Sequence, residues 1–353
     1  MSPRHDEWQI FEDRGVTVDR IRALDERLHS DFDPAAWGFA QLAGLGEGEQ
    51  RAVVSDLILG AVLAIHTNLL EVELHRATAA NIEGGGLPMP RPEHWEEDRV
   101  RLVELQMHIA GFFRAFGSCL DCLAAAAIGI LRIPLSIQKA SFQTVDRIES
   151  LESDEKWPLD QRGVWSRLRS CMDGDLDALP AWCSWGLEMR HALVHRGRHI
   201  NLHLPTKPPS DLAIVVSSPE AAIDIARRNE TQLHFHRRPW LPEMQHLADS
   251  RSASDNWLGE SAQLTMKGLQ DELTALIDRV AGLLLEVWEA VASGDLQLIE
   301  PAAEWQLPDI PAIDFRGIAP AVEPAPITSM HTGEETAKRM ELAERVRISK
   351  QGS

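Results

Sequence analysis

The chain has 353 residues, of which 44% are hydrophobic and 25% are charged, and its formal net charge is −19. A chain of this size can bury a large core without covalent staples, and its four cysteines are too few for a disulfide scaffold. The acidic charge argues against broad, nonspecific adhesion to nucleic acid or to an anionic membrane, because the overall field repels phosphate.

The first 48 residues are predicted to form a peripheral segment. They contain one modest helical pattern, from Val18 to His29, followed by a loop rich in aspartate, proline and glycine. The N-terminal residues are polar and acidic and lack the basic and apolar parts of a secretory signal. We therefore expect a cytoplasmic protein.

Residues 49–298 are predicted to form a bundle of long helices. Apolar residues recur at steps of three and four from Glu49 to Ala80, and a helical pattern resumes from Glu93 to Ile133. The glycines and prolines between Asn81 and Pro92 should interrupt the helix there. The longest apolar run, Cys122 to Leu131, is about half as long as a membrane span requires, so it predicts a buried core helix.

Further helices are predicted over Asp160 to Met172, from Pro180 to Val194, and over Gly259 to Ala292. Before the last helix, short runs with alternating or β-branched character predict a small antiparallel β-ribbon: His199 to Leu204, Leu212 to Val216 and Thr231 to His236. Residues 299–353 are rich in proline and are predicted to form a partly disordered tail with one short helix. The fold class is therefore mostly all-α.

The segment EMRHALVHRGRHINLH, Glu188 to His203, concentrates arginine and histidine in an otherwise acidic chain. On a regular helix, residues such as Trp182, Trp185 and Met189 form one apolar face, and Arg190 and His195 are about 140° apart. A site that uses both side chains would therefore need a distorted helix end or a second copy of the chain. A plain alternative is a solvated helix end, where cations complement the helix dipole.

The motif Arg190-His191-Ala-Leu-Val-His195, with a glycine soon after it, resembles the HEPN domains, helical proteins marked by Arg-x4–6-His. The helix FRAFGSCLDCLAAAAIGIL, from Phe113, is similar to the long helix that precedes the motif in several such families. The resemblance implies a HEPN-like helical bundle, here with the β-ribbon inserted between its last two core helices. It also implies a metal-independent endoribonuclease, usually a homodimer, that acts as a toxin or defence effector in bacteria.

Within that resemblance, Arg190, His191 and His195 are the predicted catalytic residues. Histidine can move a proton near neutral pH, which fits His195 as general acid or base, and arginine can bind the scissile phosphate. His191 would orient its neighbour. The predicted contacts with a single RNA strand are Arg196, Arg198 and His199, with His203 beyond them. The resemblance implies no cofactor and no metal, and its partners would be RNA, a second copy, and an antitoxin, nucleotidyltransferase or sensor protein.

Other readings of the sequence remain open. The bundle could be a catalytically silent module that binds a protein. Pairs of glutamate and histidine one turn apart could hold a metal, although only Glu188 and His191 have the Glu-x-x-His spacing of di-iron bundles: Glu71 and His75, Glu104 and His108, Glu188 and His191. Zinc could also bind to the cysteines, which are Cys119, Cys122, Cys171 and Cys183. No glycine-rich loop has the context of a nucleotide triphosphatase.

Overall fold

The described part of the chain is mostly helical, as the sequence predicts. The computed structural model describes residues 11–13, 15, 18–32, 49–85, 95–143, 148–172, 180–195, 234–235, 260–299 and 301. Its helices are α1 (Asp19–Asp31), α2 (Glu49–Gly84), α3 (Trp95–Ile130), α4 (Ile148–Glu152), α5 (Leu159–Cys171), α6 (Ala181–Arg190) and α7 (Ala262–Ser293). A 3-10 turn spans Ile137–Lys139, and a π-helical turn, His191–His195, continues α6.

The predicted helix bounds agree with the observed ones within a few residues, with one difference at the end of α2. The sequence predicts a break from Asn81, yet α2 continues to Gly84. Asn81, Ile82 and Glu83 are residues that a helix tolerates, so the helix ends only where the glycines begin. The short α4 and the 3-10 turn were not predicted, because each is too short to show a helical period.

Contacts divide the chain into two compact units. Unit 1 comprises Met1–Asp19, Ala64–Asp121 and Arg169–Arg279, and unit 2 comprises Arg20–Leu63, Cys122–Leu168 and Val280–Ser353. The helices α2, α3 and α7 each contribute one part to each unit. The predicted division at residues 48 and 298 stays a prediction.

Unit 1 contains a core of aliphatic and aromatic side chains from α2, α3, α6 and α7. Its buried residues include Ile65, Leu69, Val72, Ile109, Phe112, Phe113, Phe116, Cys183, Leu269 and Leu273. The three phenylalanines of α3 follow the helical steps of three and four that the sequence shows. Phe112 meets Phe113 edge-on, with ring centroids 5.2 Å apart. This aromatic group forms the surface on which α6 packs.

Unit 2 contains a second core, in which polar groups fix the turn that follows α3. The indole nitrogen of Trp165 donates to the carbonyl of Leu131 at 3.0 Å, and Gln161 donates to the carbonyl of Arg132 at 3.1 Å. Arg132 has a φ of 50°, in the left-handed region, and its guanidinium donates to the carbonyl of Leu298. These bonds satisfy the buried backbone where the chain turns away from α3.

Two helical stretches are long and apolar enough to cross a membrane by length and composition alone: Val54–Gly84 and Val100–Ile130. Core helices of soluble proteins pass the same test, and 72% of the apolar window in the second stretch is buried inside the protein. Both stretches also contain charged side chains, such as Arg76 and Arg114.

The predicted β-ribbon lies almost wholly outside the described residues. His234–Phe235 belongs to the third predicted strand and pairs antiparallel with Glu260–Ser261, immediately before α7. The first two predicted strands and the proline-rich tail lie outside the described residues. The ribbon stays a prediction.

Candidate functional site

Helix α6 packs on α3 through aromatic contacts. Trp182 meets Phe116 edge-on at a centroid distance of 6.1 Å, and Trp185 meets Phe113 in the same manner at 5.9 Å. Gly186 lies so close to Phe116 that an added Cβ would come within 2.6 Å of the ring. Such pairs stabilise helix docking by about 0.5–1.5 kcal/mol each beyond their buried area. They fix the direction in which Arg190, one turn beyond Gly186, leaves the helix.

Arg190 forms an ion pair with Asp121 of α3. Its Nη1 donates to Oδ2 of Asp121 at 2.9 Å, and the two side chains are 26% and 27% exposed. A charge-assisted bond at this distance and depth restricts the guanidinium far more than an exposed ion pair would. Arg190 is therefore held on α3.

Gly117, one turn before Asp121, provides the space for the Arg190 side chain. A Cβ at Gly117 would lie 2.3 Å from Cδ, 2.7 Å from Nε and 2.9 Å from Nη1 of Arg190. Real Cβ atoms do not approach that closely, so the arginine stem rests directly on the α3 backbone. Any larger residue at this position would displace it.

The Nε atom of Arg190 is buried and has no hydrogen-bond partner among the residues that the structure describes. A buried donor that is left unsatisfied costs about 1–3 kcal/mol, so its position calls for an explanation. The planar fork of arginine can donate to an anion through donors that Asp121 does not use. Because Nε itself is closed to solvent, an anionic ligand would bind the exposed part of the guanidinium, which is 26% exposed as a side chain.

The π-helical turn His191–His195 follows directly on α6. A π turn has i→i+5 hydrogen bonds in place of i→i+4, so residues five apart come to lie on successive turns of the same side. The turn begins directly after Arg190 and ends at His195. The backbone between the two residues is therefore not a regular α-helix. Such turns often occur at functional sites.

The other predicted site residues are only partly described. His191 is exposed, and His195 is described by its backbone in the π turn. Arg196, Arg198, His199 and His203 lie outside the described residues. The structure thus brings Arg190 together with Asp121 and Gly117, and it leaves the proposed roles of the histidines as predictions.

Sequence reasoning missed Asp121 and Gly117 as partners of Arg190. The two residues lie four apart on α3, on one face of that helix, as do Trp182, Gly186 and Arg190 on α6. A small residue and a carboxylate at this spacing can accommodate an arginine from another helix, because the first leaves space for its stem and the second pairs with its charge. The sequence does not show which helix packs there, so the signal alone could not identify the arginine.

One of the alternative metal sites has its histidines in contact. Nδ1 of His75 on α2 lies 3.0 Å from Nδ1 of His108 on α3. Among the described residues, no group of three or more histidine, cysteine or carboxylate side chains could hold a metal ion, so neither the carboxylate-bridged site nor the zinc site has its full ligand set there. Cys119 donates to the carbonyl of Ile65, as a small buried core residue would.

Comparison with models of known protein families, with curated proteins and with solved structures gave no match to this chain.

Proposed function

We propose that this chain is a metal-independent endoribonuclease of HEPN type. The observation that carries the proposal is the position of Arg190: Asp121 and Gly117 hold its guanidinium in place while 26% of the side chain stays exposed. A phosphate oxygen is a chemically suitable acceptor for guanidinium N–H groups that Asp121 does not use. The proposed fold is a HEPN-like bundle with the predicted β-ribbon between its last two core helices.

In the proposed mechanism Arg190 binds the scissile phosphate. A cationic donor that is fixed before the reaction stabilises the extra negative charge of the transition state without reorganisation. Asp121 is a positioning residue, since it contacts the arginine and takes only one of its donors. The Arg190 side chain could therefore bond to Asp121 through Nη1 and to the RNA phosphate through its other donors.

His195 is the proposed general acid or base, and His191 its orienting neighbour. Cleavage requires movement of a proton from the RNA 2′-hydroxyl and to the leaving oxygen, and an imidazole is suited to both near neutral pH. The π turn that contains both histidines supports the proposal, since such turns often occur at functional sites. Arg196, Arg198 and His199 are proposed to contact the phosphates of one RNA strand.

The proposed biological setting follows from the same resemblance. We infer a cytoplasmic toxin or defence effector that works as a homodimer, in which both copies line one cleft. An antitoxin, a nucleotidyltransferase or a sensor protein would restrain it. The net charge of −19 supports a substrate contact that is confined to the arginine and histidine cluster.

A second function is favoured by the ion pair itself. If Arg190 and Asp121 serve only to join α6 to α3, the bundle is an interaction module that binds a protein and cleaves nothing. Such a pair can have a purely structural role, because removal of either partner leaves the other charge without compensation. The two functions differ in what the removal of Arg190 does to RNA.

The test is cleavage of total RNA by the purified wild type, Arg190→Ala and His195→Ala in the presence of EDTA. The nuclease proposal predicts cleavage by the wild type, a loss of about 10²- to 10³-fold with Arg190→Ala, and a loss of about 10²- to 10⁴-fold with His195→Ala. Gly117→Ala should also slow cleavage, because it displaces Arg190 without removing it.

Arg167→Ala is the matched control. Arg167 pairs with Glu286, and both side chains are more than half exposed, so this variant removes one arginine charge without touching the contacts of Arg190. It should cleave like the wild type. Equal cleavage by wild type and Arg190→Ala, or loss of cleavage in EDTA, would refute the mechanism, and an inert wild type would favour the interaction module.

A further inference from the structure

Apolar side chains lie in a row on the outer face of the N-terminal half of α3, in unit 1. Val100, Val103 and Met107 are 57%, 49% and 65% exposed, and Ala110, one turn beyond Met107, is half-buried. A single exposed apolar residue is normal on a protein surface, whereas several in contact with one another indicate an interaction surface. This part of α3 therefore has the composition of a helix face that packs against a partner.

The spacing of the row is that of a coiled-coil seam. A charged residue stands at each end, and the six positions follow one another at alternating steps of four and three: Glu96, Val100, Val103, Met107, Ala110 and Arg114. Such steps define the a and d positions of a heptad, along which two helices pack side by side. At 100° per residue the six lie within about 80° of one another, opposite the buried Leu105 and Phe112. We call these six residues the α3 stripe.

The charged ends of the α3 stripe are accessible to a partner. Glu96 is exposed, and Arg114 makes an ion pair of 3.5 Å with Glu71 in which the two side chains are 58% and 43% exposed. An exposed pair of this kind contributes at most about 1 kcal/mol, so it restrains Arg114 only weakly. Arg114 can therefore exchange this contact for another carboxylate.

The charges of the α3 stripe match a second copy of the same stripe. Glu96 and Arg114 are about 27 Å apart along the helix, so they cannot pair within one chain. When a second copy runs antiparallel, about an axis midway between Val103 and Met107, Glu96 of each copy lies opposite Arg114 of the other, and Val103 lies opposite Met107. A parallel copy would instead bring like charges together at both ends, which disfavours that orientation.

We propose that the α3 stripe is the interface of a homodimer in which two copies of α3 pack antiparallel. A two-fold interface uses the same patch on both copies, so the patch must be complementary to itself, as the α3 stripe is. One pair of helices buries a small area, so the dimer forms reversibly and its population depends on protein concentration. The proposed nuclease also acts as a homodimer, but this inference uses no residue of the Arg190 region and does not rest on cleavage.

The test is sedimentation velocity of the purified full chain at concentrations up to the millimolar range, where even weak complexes form. The wild type should change from monomer to dimer as its concentration rises. Met107→Glu should raise the dissociation constant at least about 10-fold, because it places a carboxylate from each copy in the apolar seam. Leu159→Glu is the matched control and should dimerise like the wild type, since Leu159 is 75% exposed on α5, outside the α3 stripe.

Charge reversal at the two ends tests the antiparallel arrangement. Glu96→Arg and Arg114→Glu should each raise the dissociation constant at least about threefold, because each brings like charges together at both ends. The double variant restores opposite charges and should recover most of the affinity, which a merely local effect of either substitution would not produce. The proposal is overturned if the wild type stays monomeric at every concentration, if Met107→Glu dimerises as tightly as the wild type, or if the double variant binds no better than the single ones.

Discussion

Arg190 shows how much of its behaviour depends on residues far away in sequence. Its bond to Asp121 spans 69 positions, and its stem rests on Gly117. The sequence identifies Arg190 through the spacing to His195, because that spacing is local. Asp121 and Gly117 could not be predicted as its partners, since their role depends on how α6 packs on α3.

A double-mutant cycle measures how strongly Arg190 and Asp121 are coupled in the folded protein. Arg190→Ala, Asp121→Ala and the double variant should give a coupling energy of about 1 kcal/mol in the free energy of unfolding, because both side chains are largely buried and one strong bond joins them. The measurement is urea denaturation of the four proteins. Additive single effects would show that the pair adds nothing to stability.

His75 predicts a dependence of stability on pH. Burial, His108 and Arg114 lower its pKa in the folded protein below the value of about 6.5 expected in the unfolded chain. Between those two values the unfolded state binds more protons, so its contribution makes the free energy of unfolding fall as the pH falls through this window. Denaturation at several pH values in EDTA should show a smaller slope for His75→Gln, and an unchanged slope would contradict the assignment.

At the scale of elements, the sequence predicts the long helices well and their junctions poorly. The apolar periodicity of α2, α3 and α7 extends over many turns. Their predicted bounds therefore agree with the observed ones within a few residues. The π turn at His191–His195 has no such period, because a local change of hydrogen bonding depends on how the helix end is packed. The sequence predicts only that a site with both Arg190 and His195 would need a distorted helix end or a second copy of the chain.

Docking of α6 on α3 predicts opposite effects for two glycine substitutions. Gly186→Ala places a Cβ 2.6 Å from Cε1 of Phe116 and should lower the free energy of unfolding by about 1–3 kcal/mol. Gly163→Ala, in α5, meets nothing within 4 Å and should raise it by about 0.5–1 kcal/mol. Urea denaturation measures the free energy of unfolding of both variants. Equal changes in the two would mean that α6 does not pack on Phe116 as described.

At the scale of the whole molecule, the apolar periodicity of the sequence predicts a mostly helical protein, and the described residues confirm it. It does not predict the division into two units, because α2, α3 and α7 each continue from one unit into the other. A helical period gives no indication of where along a helix its neighbours change. The division is therefore a property of packing between distant parts of the chain.

The charged groups of α2 and α3 predict that the protein does not span a membrane. The apolar stretches of these helices contain ionisable side chains such as Arg76, which bonds to Glu73 and Gln270, and Arg114. An arginine at the bilayer centre costs about 2.5–3.5 kcal/mol on insertion scales. Alkaline carbonate washing of cell membranes should leave the protein in the supernatant, whereas retention in the membrane pellet would contradict this prediction.

The central claim is that Arg190 binds the scissile phosphate of RNA. Its most direct test is the single-turnover rate on a defined single-stranded RNA in EDTA, for the wild type and Arg190→Ala, with DNA of the same sequence beside it. We predict cleavage of the RNA only, because the reaction needs the 2′-hydroxyl, and a rate at least about 100-fold lower for Arg190→Ala. Cleavage of RNA by Arg190→Ala at the wild-type rate would contradict the claim.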